Sequence, residues 1–267
     1  MSASRPVGTV QFDNTGRVVL VSGGAMGIGR RVCEAFAESG ASVICMDINA
    51  EAAADLPKGI AFVSGDTSIE LDCRNAVNFA VDMFGAIDVL VNNAAIQPQD
   101  SYVPVHELST ELWERMISVN VTGFTLLAKH TIVEMLKQRS GVIVNIGSGQ
   151  AHRTARHVPA YGPAKAANIM QAKQWGVEYA RHGIRVVSVS PGAILTPMVE
   201  ATLKEQGGAA QLANRHPLGR IGRPDEISSA VLWISSSAAS FVTATDLEVD
   251  GGLGAFGSFA DPYPMPF

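Results

Sequence analysis

Seven short runs dominated by valine, isoleucine and leucine recur along this 267-residue chain, at 17–21, 42–46, 60–63, 87–91, 142–146, 184–189 and 246–249. Most lack the polar alternation of a strand with one wet face, so they read as strands buried on both sides, as in a parallel sheet. Helical patterns separate them at about 28–39, 68–84, 110–137, 160–182, 197–213 and 224–236. Ser68 and Ser109 stand at N-cap positions, and Gly40 and Gly183 stand where helices stop. Alternation of this kind forces right-handed crossovers. It predicts an α/β fold: one doubly wound parallel sheet of about seven strands with helices on both faces. The length suits a single domain over 1–267, with an N-terminal extension at 1–15 and a C-terminal tail at 252–267.

Composition narrows the partners. Hydrophobic residues make up 47% of the chain and charged residues 17%, which is enough apolar surface for a sizeable core. The net charge of −5 gives no basic face for nucleic acid. No uninterrupted apolar run approaches the ~18 residues of a membrane span. The opening Met1-Ser2-Ala3-Ser4-Arg5-Pro6 lacks the apolar core of a secretory signal. Cys33, Cys45 and Cys73 are odd in number and suit buried free thiols in a reducing compartment, with no metal site. A cytoplasmic protein is expected. The proline-rich tail carries Phe256, Phe259, Tyr263 and Phe267, which suit a surface strap, a contact with a neighbouring subunit or a lid over a functional site.

The first strand runs into Ser22-Gly23-Gly24-Ala25-Met26-Gly27-Ile28-Gly29, which opens a helix. Glycines there let the backbone turn tightly and approach a pyrophosphate, whose charge meets free helix N–H groups. The next strand ends at Asp47, an acid placed to accept hydrogen bonds from adenosine ribose hydroxyls. Its charge would repel a 2′-phosphate, and the positions where an arginine or lysine would meet that phosphate are Met26 and Ile48. Arg30 and Arg31 are expected to face solvent or to shore up the pyrophosphate. The reading is NAD rather than NADP.

Tyr161 and Lys165 are four residues apart, which puts phenol and ammonium on one helical face. A phenol titrates near pH ~10 and is a poor base at neutrality unless a cation stabilises its phenolate. Lowering it by about three units takes roughly 4 kcal/mol. A unit charge at ~4 Å supplies about that much at an effective dielectric of ~20. Pro163 lies between the two, so the helix should begin at about 160–162, where a first-turn proline is tolerated.

In this order the motifs resemble the single-domain short-chain dehydrogenases/reductases, over about residues 16–254. Gly23, Gly27 and Gly29 fit that family's Thr-Gly-x3-Gly-x-Gly loop, with Ser22 in place of threonine. Asp66 and Thr67 stand where its acid meets adenine, and Asn92-Asn93-Ala94-Ala95 fits its Asn-Asn-Ala-Gly element. Asn120, Ser148, Tyr161 and Lys165 complete its tetrad. Ser190-Pro191-Gly192, with Ile194 and Thr196, fits the segment that holds the nicotinamide carboxamide, and Asp250-Gly251-Gly252 follows the last strand. The resemblance implies a Rossmann-like fold, an NAD cofactor, a homotetramer joined through the two long helices, and hydride transfer between nicotinamide C4 and a carbinol carbon. It implies Tyr161 as general base, with Lys165 lowering its pKa and bonding the nicotinamide ribose. Ser148 would bind the substrate oxygen, and Asn120 would hold a water that relays protons from Lys165.

The segments after Ala95 and Ser148 should wall a substrate pocket. Gln97, Ser148, Gln150, His152, Arg153 and Arg156 would suit a polyhydroxylated ligand, with arginine matching a carboxylate. Those arginines equally suit solvent or an acid of another subunit. The segment 197–215 reads as a helical lid, with Arg215, His216, Arg220 and Arg223 in its hinge and packing. The leading expectation is oxidation of a sugar, sugar acid or polyol. An NADH-dependent reductase of a non-sugar ketone, and a catalytically silent NAD-sensing regulator, are the alternatives.

Overall fold

The structure is a computed structural model and describes residues 8–203 and 207–257. In chain order the elements are β1 (Val18–Ser22), α1 (Gly27–Glu38), β2 (Ser42–Asp47), α2 (Ala50–Ala53), β3 (Ile60–Ser64) and α3 (Glu70–Phe84). There follow β4 (Val89–Asn92), α4 (Thr110–Ile117), α5 (Gly123–Gln138), β5 (Gly141–Ile146), α6 (Tyr161–Tyr179) and β6 (Ile184–Pro191). Three further helices, α7 (Pro197–Glu200), α8 (Ala209–Asn214) and α9 (Pro224–Ser235), precede β7 (Asp246–Val249). All seven strands form one parallel sheet in the order β3-β2-β1-β4-β5-β6-β7.

The side-chain period of two sorts each strand between two cores. Val19 and Val21 face one layer with Val32 and Phe36 of α1 and Ile227 and Val231 of α9. Val18 and Leu20 face the other, with Ala76 of α3, Leu127 and Ile132 of α5 and Ala172 of α6. Both faces are therefore covered, which is why the strands read as unbroken apolar runs. Strand order reverses between β1 and β4, so the crossovers leave in opposite directions there and open a crevice at the carboxyl ends of the strands.

Several expected boundaries move for identifiable reasons. Ser68 is no helix cap: its N–H and hydroxyl both donate to Asp66 Oδ1, at 2.9 and 2.7 Å, and α3 starts at Glu70. Ser109 does cap α4, accepting from Leu112 N at 3.2 Å. Gly40 and Gly183 take φ of +94° and +79°, as helix stops require. The segment 110–137 is one helical run broken by a π turn at Ser118–Thr122. That run, Thr110–Gln138, has the length and the mean hydropathy, 1.2, of a membrane-crossing helix, although polar and charged residues interrupt it. Half of its apolar window is buried inside the protein, as for a core helix. Pro163 falls in the first turn of α6, whose N-cap is Ala160. The segment 197–213 is not one helix but the short pieces α7 and α8. Cys33, Cys45 and Cys73 are free and buried. Of the tail aromatics, Phe256 is described, whereas Phe259, Tyr263 and Phe267 lie outside the described residues.

A buried amide ladder ties the sheet to α6. Asn92 and Asn145 are register partners on β4 and β5, and Asn92 Nδ2 donates to Asn145 Oδ1 at 3.0 Å. Asn145 Nδ2 donates to the Asn168 carbonyl at 3.1 Å, one turn past Lys165. Asn145→Ala removes the acceptor of one bond and the donor of the other. The expected outcome in urea unfolding is a loss of about 2–4 kcal/mol, because stranded buried polar groups cost about 1–3 kcal/mol each.

Candidate active site

The crevice at the carboxyl ends of the strands holds about 420 Å³. Its floor is the turn after β1. Gly23 takes φ +63°, its N–H donates to Met46 O at 2.8 Å, and a Cβ there would sit 2.8 Å from Ala94 Cα. Gly23, Met26, Gly27 and Ile28 line the crevice, as do Asn93, Ala94 and Ala95 at the end of β4. Ser22 and Gly29, expected to touch the cofactor, stand behind this wall. Ser22 is fully buried, and its Oγ accepts from Asn93 N and Ala94 N at 3.0 and 3.2 Å. Asn93 Nδ2 returns bonds to the carbonyls of Ser22 and Gly23, at 3.0 and 2.9 Å. A Cβ at Gly29 would collide with Gly23 O, so this glycine lets α1 close onto the turn.

At one end of the crevice lie Asp47 and Ile48, then Asp66 and Thr67. Asp47 Oδ2 accepts from Ala25 N and Oδ1 from Asn49 N, both at 2.9 Å. The carboxylate thus holds the glycine turn as well as facing the crevice. Met26 and Ile48 beside it are 46% and 65% exposed, leaving an apolar rim where a cation would be needed for a 2′-phosphate. Arg30 and Arg31 are engaged elsewhere: Arg30 bonds Glu34 of α1 and the Asp55 carbonyl after α2, and Arg31 bonds Glu38. Asp66 accepts from Arg115 Nη2 at 2.8 Å. Burial raises its pKa, but the bonds from Ser68 and Arg115 outweigh it and leave it lowered. Arg115 also lines the crevice and escaped the sequence reading; nothing in the spacing of 66 and 115 announces their contact.

At the other end Ser148, Tyr161 and Lys165 come together with Ile146 at the end of β5, with Gly147, with Pro191 at the end of β6, and with Gly192, Ile194 and Thr196 beyond it. Ser148 Oγ accepts from Gln150 N at 3.1 Å, and its side chain favours the Tyr161 phenolate. Lys165 is 1% exposed, and its Nζ donates to the Ile146 carbonyl at 2.8 Å, 5.6 Å from the centre of the Tyr161 ring. The phenol is not made more acidic by this arrangement, contrary to expectation. Burial, then the nearby Tyr102, push it up to about 12, with Ser148 opposing. Burial also brings the Lys165 ammonium down to about 7, which weakens the charge that was to stabilise a phenolate. Thr196 Oγ1 accepts from Val199 N at 3.4 Å and caps α7.

Asn120 lies in the π turn, fully buried, and does not line the crevice. Its side chain accepts from Ile96 N at 2.8 Å and donates to Ile96 O at 2.9 Å. It thereby pins the segment after Ala95. The expected substrate residues also disperse. His152 Nε2 pairs with Asp246 Oδ2 at 2.8 Å, and Arg153 Nη1 donates to Leu253 O at 3.2 Å. Arg156 is exposed and lines neither hollow. Gln150 and His152 border a second, shallower hollow of about 480 Å³ against the start of α6. Gln97 lies off both, its Nε2 buried without a partner. The walls beside Ser148 and Tyr161 are instead Ile96, Ile194, Met198 and Val199. Val119, four residues after Arg115 on the same helical run, joins the lining and was likewise not anticipated.

A glycine turn, an acid at the end of β2 and a Ser–Tyr–Lys cluster on one crevice of a doubly wound sheet are the parts of a nicotinamide-dependent oxidoreductase. Residues 23–254 match the family profile described as enoyl-(acyl carrier protein) reductase. The chain is 37% identical over 251 residues to cis-4-hydroxycyclohexanecarboxylate dehydrogenase of Sinomonas cyclohexanicum, covering 90% of this chain and 97% of that one. It is 37% identical over 253 residues to 2,5-dichloro-2,5-cyclohexadiene-1,4-diol dehydrogenase of Sphingobium indicum, covering 91% and 99%. The ligand-free structure of aldohexose dehydrogenase from Thermoplasma acidophilum superposes with a TM-score of 0.85 at 32% identity, covering 94% of this chain and 98% of the other. The chain belongs to the short-chain dehydrogenase/reductase family.

Lys165 generates a pH prediction. Its ammonium falls from 10.5 to about 7 on folding, so between those values the unfolded chain holds a proton that the folded chain lacks. Stability therefore rises with pH across that window, and the whole cost of the buried charge is felt below it. Lys165→Met removes the term. Measured by urea unfolding without cofactor, the variant's stability relative to the unsubstituted protein should be highest near pH ~6 and should decline steadily toward pH ~10.

Proposed function

We propose that the protein is an NAD-dependent dehydrogenase that oxidises a secondary alcohol of an uncharged polyol, sugar or ring alcohol. The reading rests on one observation: Ser148, Tyr161 and Lys165 share a crevice with the glycine turn and Asp47. The residues fit a dinucleotide. Gly23 and Gly27, at φ +63° and +56°, leave the floor without side chains, and Asp47 stands at the far end from Tyr161. NAD, when bound, supplies the hydride acceptor. Tyr161 Oη takes the hydroxyl proton of the substrate, and Ser148 Oγ binds the same oxygen and steadies its developing charge. In the free protein burial holds the phenol protonated, at about 12, and leaves Lys165, at about 7, only part of its charge near neutrality. A positive charge in the crevice favours the phenolate, so base strength becomes available when the oxidised cofactor is in place.

Preference for NAD is supported by Asp47 and the apolar Met26 and Ile48. Among the described residues that line the crevice, Arg115 is already paired with Asp66, and Lys165 lies beside Tyr161. The apolar walls Ile96, Ile194, Met198 and Val199 favour a carbon ring or uncharged polyol over a sugar acid, since Arg153 and Arg156 are turned elsewhere. The two ring-alcohol dehydrogenases and the aldohexose dehydrogenase are similar proteins with substrates of this kind. The reverse reaction, reduction of a ketone by NADH, uses the same residues and is favoured by the reductase description of the family profile. A silent sensor would have no need of the Ser148–Tyr161 contact.

A homotetramer is proposed as the assembly. Val133 of α5 and Met170 and Val177 of α6 are 50%, 62% and 75% exposed, an apolar surface that asks for a partner. The three buried free thiols suit the reducing cytoplasm.

Formation of NADH across a panel of ring alcohols, polyols, aldoses and sugar acids tests the substrate class; a panel answered only by sugar acids or sterols would overturn it. Tyr161→Phe should lower turnover by roughly 100- to 10,000-fold while NADH affinity stays within about threefold. Replacing Asp47 by serine together with Ile48→Arg should reverse the ratio of kcat/KM for NAD and NADP, and equal use of both by the unsubstituted protein would refute the preference. Light scattering after size-exclusion chromatography reads the assembly.

A further inference from the structure

His216 is 2% exposed, and both nitrogens of its ring engage backbone groups. Ala193 N–H donates to Nε2 at 3.1 Å, and the Leu212 carbonyl lies 3.0 Å from Nδ1. A peptide N–H can only donate and a carbonyl can only accept. One state satisfies both: a neutral ring with its proton on Nδ1. The ring thereby bridges α8, which carries Leu212, to the segment after β6, whose Gly192, Ile194 and Thr196 face the crevice. A Cβ on Gly192 would sit 3.0 Å from His216 Nε2 and 2.9 Å from Asp250 Cα. The imidazole and the turn after β7 therefore hold Gly192 from two sides. The turn is secured in its own right: Leu218 N donates to Gly251 O at 3.2 Å, and Gly252 N to Asp250 Oδ1 at 2.9 Å.

We propose that His216 is a positioning residue for the nicotinamide end of the crevice. By accepting from Ala193 N–H it sets the plane of the Gly192–Ala193 peptide and with it the wall formed by Ile194 and Thr196. It touches neither the reacting atoms nor the glycine turn, so its effect falls on one end of the cofactor only. The inference rests on reading the crevice as an NAD site, and it adds a residue from outside the crevice lining that governs the grip on nicotinamide.

Two substitutions separate the hydrogen bond from the bulk of the ring. His216→Phe keeps a ring but has no acceptor for Ala193; His216→Gln keeps an amide acceptor and donor at similar reach. Calorimetric titration of NADH and of ADP-ribose, which lacks nicotinamide, is compared across the three proteins. His216→Phe should weaken NADH about tenfold while ADP-ribose stays within about twofold, and His216→Gln should recover most of the loss. Amide hydrogen exchange over 191–199 should quicken in His216→Phe without cofactor present, while β1 to β3 keep their protection. Equal weakening of both ligands, no weakening of either, or no recovery by glutamine would overturn the proposal, as would unchanged exchange over 191–199. If the unsubstituted protein bound no NADH and exchange over 191–199 still quickened in His216→Phe, the cofactor reading would fail and the hold on this segment would stand.

Discussion

Two strand ends pressed together fix everything else in this site. Where β1 and β4 lie side by side, Asn93 bonds the carbonyls of Ser22 and Gly23, and the Ser22 hydroxyl accepts from the N–H groups of Asn93 and Ala94. This reciprocal set leaves no room for a side chain at Gly23 or Gly29, and it consumes polar groups that would otherwise be orphaned in a dry corner. The carboxylate of Asp47 then ties the far side of the turn through Ala25 N. The floor of the crevice is rigid because its backbone is hydrogen-bonded from two neighbouring strands. Only on such a floor do freely pointing N–H groups become an anion site and not a loop collapsed on itself.

The catalytic end is built on the opposite principle, burial against apolar neighbours. Lys165 has one carbonyl and the face of Phe124, 5.3 Å from its nitrogen, in place of water. The same dryness that weakens its charge raises the Tyr161 phenol, so the phenol stays protonated and the ammonium keeps only part of its charge near neutrality. The amide ladder Asn92–Asn145–Asn168 and the grip of Asn120 on Ile96 hold α6, β5 and the loop after β4 in fixed relation around that pair. Asn120 thus serves by shaping a wall, which its central place in a long helix would not have suggested.

Legibility followed the range of the interaction. The glycine turn, Asp47, the Tyr161–Lys165 spacing and the first-turn Pro163 are local devices, and each stands where the chain alone places it. Ser22 and Gly29 were legible as motif members but not in their roles: Ser22 bonds the end of a strand about seventy residues away, and Gly29 lets α1 close onto the turn at Gly23. The polar run 150–156 is dispersed by contacts of the same range. His152 finds Asp246, and Arg153 finds the Leu253 carbonyl, across about a hundred residues, so charges that look available to a ligand are already engaged.

What the chain determined alone is its period. Unbroken apolar runs alternating with amphipathic helices admit one parallel, doubly covered sheet, and short-range backbone constraints then put glycines at the turn and a phenol one helical turn from an ammonium. What only the tertiary structure decided is electrostatic state and orientation. Solvation of Tyr161 and Lys165, the partners of Arg115, Arg153 and His216, and the wall on which each side chain ends depend on groups far off in sequence. Hydrogen bonds and desolvation act over a few ångströms of space and take no account of separation along the chain.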